Sequence, residues 1–80
     1  MLTGAQLRAA RALLGWKMVE LAARSGVGVR TIIRAEAVDG VPRMQTDRMD
    51  ALQLALEQGG VTFLDANSAH GPGVRLRRPM

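Results

Sequence analysis

Ala22, Gly26 and Ile32 stand at one fixed spacing, with three residues between the first two and five between the last two. That pattern constrains the chain more than any other feature. Two short helices that cross at about 100° around a three- or four-residue turn need a tiny side chain where their axes approach, which Ala22 supplies. They also need an apolar wedge from the second helix, supplied by Ile32. Gly26 falls where the chain must turn with φ > 0, a conformation open to glycine at little steric cost. Leu21 and Val27 close the same pocket. Val29, Arg30, Ile33 and Arg34 are left facing outward on the second of the two helices, so two arginines project from an otherwise apolar unit.

Eighty residues allow one domain, and a chain this short buries only a modest share of its surface, so a second subunit would help its stability. A homodimer is therefore expected. The chain has no cysteine, which excludes a disulfide framework and a thiolate metal site and fits a reducing interior. No segment approaches the roughly 18 apolar residues of a membrane span, and the N-terminus lacks the basic and apolar blocks of a signal peptide. The expected address is cytoplasmic, with no membrane partner.

The charge is strongly basic and unevenly placed. All but one of the 11 basic residues are arginine, and the isoelectric point of about 11.4 makes a polyanion the natural partner. Residues 1–36 carry Arg8, Arg11, Lys17, Arg24, Arg30 and Arg34 against Glu20 and Glu36. Residues 37–66 carry Arg43 and Arg48 against Asp39, Asp47, Asp50, Glu57 and Asp65, and the tail adds Arg75, Arg77 and Arg78. The positive segment coincides with the crossed helices, which favours nucleic acid as the polyanion.

Four helices and two strands are expected. Thr3 with Gln6 reads as a capping box, and Leu7, Ala10 and Leu14 follow at helical spacing until Gly15, giving a helix over residues 4–14. The second helix runs from about Lys17 to Arg24, with Trp16 at the junction covering the first, and the third from about Val29 to Ala37. Thr46 is expected to cap a fourth helix that Gly59 and Gly60 stop. Met49, Leu52, Ala55 and Leu56 form its core stripe, and Leu54 points off it. Beyond the double glycine the period becomes alternating. Val61, Thr62, Phe63 and Leu64 form one β-prone run and Gly73 to Arg77 another, joined by a loop over residues 67–72. An isolated hairpin is marginal in water, so these strands are expected either to pack on the helices or, as the favoured arrangement, to form a sheet shared by two chains. Val74 and Leu76 would then face inward. The expected fold is mainly α, a four- to five-helix bundle with a short C-terminal β-hairpin or dimer-shared strands. Residues 1–58 form its helical domain and 59–80 a C-terminal strand segment for dimerisation, with the subunit contact expected at Leu54 on the fourth helix and at Val61, Phe63, Val74 and Leu76 on the strands.

From Gln6 to Glu36 the text QLRAARALLGWKMVELAARSGVGVRTIIRAE resembles the phage-repressor and Cro-type (XRE-like) helix-turn-helix family of bacterial and phage transcriptional regulators. The following VPRMQTDRMDALQLALEQGGVTFLD and GPGVRLR are similar to a short subgroup ending in such strands. The resemblance implies a repressor-like DNA-binding bundle, a homodimer, and binding to a palindromic operator in double-stranded DNA that usually represses transcription. It also implies that Arg11 of the first helix pairs with Glu36 at the end of the third, orienting the reading helix rather than touching DNA. Base readout would fall on Val29, Arg30, Ile33 and Arg34. Arginine can donate two hydrogen bonds to guanine, and Val29 can touch a thymine methyl group. Phosphate contacts would come from Lys17 and Met18 at the start of the second helix, from Gly28 and Thr31 at the start of the third, and from Arg8, Arg24 and Arg43 as charges. Relatives often have a Ser or Thr cap followed by Gln where this chain has Lys17 and Met18, and a Ser or Thr where it has Gly28.

Nothing in the sequence points to catalysis, a cofactor or a metal. His70 is the only histidine and lies in a Gly-Pro loop. Gly26-Val27-Gly28 belongs to the turn already described, and Asp47 and Asp50 fit a favourable place near a helix N-terminus. Two further uses of the same fold are open. An antitoxin or antiactivator would engage a protein partner through the strands or the Ile33 face, and an architectural DNA binder would have little sequence preference.

Overall fold

Thr3 opens the first helix, α1 (Gly4–Leu14), by a reciprocal cap: its Oγ1 accepts from the Gln6 amide at 3.1 Å, while Gln6 Oε1 accepts from the Thr3 amide at 2.9 Å. Gly15, at φ 68°, ends the helix. The structure, a computed structural model, describes residues 2–77. Arg78, counted above in the basic tail, lies outside them. Helix α2 (Met18–Ser25) ends at Gly26 with φ 77°, as the spacing predicts, and three residues later α3 (Val29–Glu36) begins.

Helix α4 (Thr46–Gly59) starts one residue earlier than expected. Gln45 stands at the cap, with no side-chain cap bond, and Thr46 is the first helical residue. Asp47 takes over part of the capping work, since its carboxylate accepts from the Arg48 amide at 2.9 Å in the first turn. Among the described residues no helix is long and apolar enough to cross a membrane.

Strands β1 (Val61–Leu64) and β2 (Gly73–Leu76) pair antiparallel with each other, Val61 opposite Leu76 and Leu64 opposite Gly73. Within the chain they form a two-stranded hairpin, the first of the two arrangements expected. The connecting loop closes on itself, because Asn67 Oδ1 accepts from the amides of Ala69 and His70 at 2.9 and 2.7 Å. At the loop end of the hairpin, buried Gln6 donates through Nε2 to the carbonyls of Leu64 and Gly73 at 3.1 and 2.9 Å. Val61 is 1% exposed in the chain's own core, and Phe63, Val74 and Leu76 pack against that core while staying partly exposed. Leu54 remains outside it, 55% exposed.

Every helix and the first strand contributes to that core. Leu7, Leu21, Ile32, Leu52, Leu56 and Val61 are its largest fully buried side chains, and Met49, Leu52, Ala55 and Leu56 form the stripe expected for α4. The start of α1 presses against the end of α3. A Cβ on Gly4 would lie 1.9 Å from the Val38 carbonyl oxygen, and the Gly4 amide donates to the Gly40 carbonyl at 2.8 Å. Only glycine fits so close an approach.

Candidate nucleic-acid interface

The basic side chains divide into those the fold uses and those it leaves outward. Arg11 reaches from α1 to α3 and grips Glu36 through two parallel bonds, Nε to Oε2 at 3.0 Å and Nη2 to Oε1 at 2.9 Å. Its Nη1 donates to the Trp16 carbonyl at 3.0 Å. The Glu36 carboxylate is only 4% exposed. The hydrogen bonds to Glu36 raise the Arg11 pKa above its ordinary value, against a smaller opposing effect of burial. Arg8 works one turn away. It donates to the carbonyls of Glu36 and Val38 and to the Asp39 carboxylate, so a cation sits on the C-terminal carbonyls of α3, where the helix dipole favours it. Two arginines of α1 thus fasten the end of α3.

Arg24 is also engaged. Its guanidinium lies 4.4 Å from the centroid of the Trp16 ring and pairs with Glu20 at 3.0 Å. The same indole packs against Gly59, where a Cβ would fall 2.6 Å from the ring. Trp16 therefore joins α2 to the end of α4 rather than merely covering α1. Arg8 and Arg24, expected at DNA phosphates, are turned toward the chain's own carbonyls, carboxylates and ring.

The remaining described cations, Lys17, Arg30, Arg34, Arg43, Arg48, Arg75 and Arg77, make no side-chain hydrogen bond or ion pair among the described residues. On α3, buried Ile32, Ala35 and Glu36 hold the helix against the body. Arg30, Ile33 and Arg34 are exposed on its other side, and Val29 and Thr31 are half-buried at its margin. The spacing of Arg30, Ile33 and Arg34, three and four residues apart, forms one outward stripe.

Beside that stripe a cleft of about 230 Å³ runs between α3 and the start of α4, lined by Thr31, Arg34, Arg43, Gln45 and Arg48 among others. Three guanidiniums with no side-chain partner among the described residues line one opening, an arrangement that attracts negative charge. Arg48 does not stand out in the sequence because, unlike Arg43, it is flanked by Asp47 and Asp50. The available signal was its place in the first turn of α4, five residues after Arg43. Of the other expected phosphate residues, Lys17 is exposed at the N-cap of α2, and Gly28 is exposed at the N-cap of α3 with open space where a Cβ would be. Met18 is half-buried and packs against the core. The chain matches no protein-family model and no curated protein.

Proposed function

We propose that this chain is a sequence-specific regulator of transcription that binds double-stranded DNA as a homodimer, most simply as a repressor on a palindromic operator. The observation that carries this reading is the outward stripe of α3, where Arg30 and Arg34 stand unpaired on a helix whose far side is locked to the body. An α-helix is about 10–12 Å across with its side chains and so fits a major groove about 12 Å wide, and the eight residues of α3 present about 12 Å of its length there. From there each guanidinium can donate two hydrogen bonds to O6 and N7 of a guanine. Arg43, Arg48 and Thr31 flank the stripe and would hold phosphates, fixing register without reading sequence. Lys17 adds a point charge from α2. The Arg11–Glu36 pair supports readout indirectly, by fixing the angle at which α3 leaves the body.

Dimerisation rests on the small size of the chain and on the length of a readable site. Two copies of α3 in successive major grooves would lie about 34 Å apart. The test is binding of a duplex selected from a random pool, and of a scrambled duplex, across a salt series. Arg30→Ala or Arg34→Ala is expected to weaken the selected duplex by roughly 5- to 150-fold and the scrambled one little. Equal weakening on both would indicate an architectural binder. A folded chain that binds neither duplex at low salt overturns the reading in favour of a protein partner.

A further inference from the structure

The outward stripe of α3 contains one side chain that charge does not explain. Ile33 is 49% exposed and lies between Arg30, one turn before it, and Arg34, the next residue. Scattered exposed apolar residues are ordinary, and Val19 and Leu54 are of that kind: Val19 adjoins Glu20, and Leu54 is one turn from Asp50 and Gln58. The setting of Ile33 is different. The outward face of α3 has two unpaired guanidiniums and no free carboxylate, because the only acid of the helix, Glu36, is buried against Arg11. A surface that attracts a polyanion and offers it an apolar tip calls for a polyanion with an apolar group at the same depth. In the major groove that group is the 5-methyl of thymine, the apolar mark that distinguishes one base pair there from the others. The arginine-lined cleft of Arg34, Arg43 and Arg48 continues the stripe without a break, as a phosphate backbone beside the groove requires.

We infer that Ile33 is a specificity-determining residue that reads the 5-methyl group of a thymine in each half-site, an inference that rests on the DNA-binding reading above. Residues three or four apart on a helix have Cβ atoms about 5–6 Å apart, and base pairs stack at about 3.4 Å. The thymine therefore lies one or two steps from a guanine held by Arg30, three residues before Ile33.

The experiment uses the full chain and a duplex selected from a random pool, with each thymine replaced singly by deoxyuridine. That change removes the methyl group and leaves every hydrogen-bonding edge intact. One thymine per half-site, within two steps of a guanine, is expected to lose about fourfold in affinity on replacement. Ile33→Ala is expected to bind the thymine and deoxyuridine duplexes equally, and Ile33→Val, which keeps most of the apolar tip, to retain part of the difference. Binding that ignores every replacement, or a difference that survives unchanged in Ile33→Ala, overturns this inference and leaves DNA binding standing. Failure to bind any duplex overturns both and transfers the Ile33 face to an acidic peptide.

Discussion

At the residue scale the fold depends on a few positions where chemistry leaves little choice. Glu36 is buried with both carboxylate oxygens held by Arg11, so removing one partner strands the other. Glu36→Ala is expected to lower the unfolding free energy in urea by about 3–5 kcal/mol, and Arg11→Met with Glu36→Leu to recover most of it, because a buried pair orients more than it stabilises. The raised pKa of Arg11 sets the sign of its pH dependence. Its contribution is complete below the ordinary arginine value and is lost only as pH rises past the folded one, so Arg11 adds no slope to stability near neutral pH. Two glycines are required for different reasons. Gly26→Ala places a Cβ at φ 77° in open space and is expected to cost about 1–2 kcal/mol. Gly4→Ala drives a Cβ into the Val38 and Ala35 carbonyls and is expected to cost at least about 2 kcal/mol, measured by the same denaturation.

At the element scale, the local signals were legible and the distant ones were not. The capping box, the glycine stops of α1 and α2, the core stripe of α4 and both strands could be read because each depends on neighbours within a few residues. Gln6 shows where such reading ends. Its role in the cap follows from Thr3 three residues away, but its hold on Leu64 and Gly73 spans most of the chain and leaves no periodic trace. That link gives the two-stranded hairpin a support on the helices that its own length does not supply. Gln6→Ala is expected to reduce amide-exchange protection in β1 and β2 by about 1–2 kcal/mol while leaving α3 protected, as shown by hydrogen exchange resolved along the chain. In the candidate site, the outward face of α3 was legible from the spacing of Arg30, Ile33 and Arg34. Arg48 was hidden by the acidic residues around it, and the partners of Arg8 and Arg24 were not legible because a charge count cannot tell a partnered guanidinium from a free one.

At the scale of the whole molecule, the net charge of +4 understates the asymmetry. Arg8, Arg11 and Arg24 are neutralised by carboxylates within the chain, whereas Arg30, Arg34, Arg43 and Arg48 gather around one helix and the cleft beside it. In the DNA-binding account those free charges set the salt dependence. Arg48→Ala is expected to weaken selected and scrambled duplexes alike and to lower the slope of log affinity against log salt by about 0.9 for each phosphate released. Arg8→Ala is expected to leave that slope unchanged. The central claim is that α3, on its outward side, is the surface that meets DNA, and backbone amide chemical shifts recorded while a selected duplex is titrated into the full chain test it most directly. The account expects the largest changes over residues 28–37 and at Arg43 to Arg48, with the hairpin little affected. Changes confined to β1, β2 and their loop, with α3 unmoved, would contradict it.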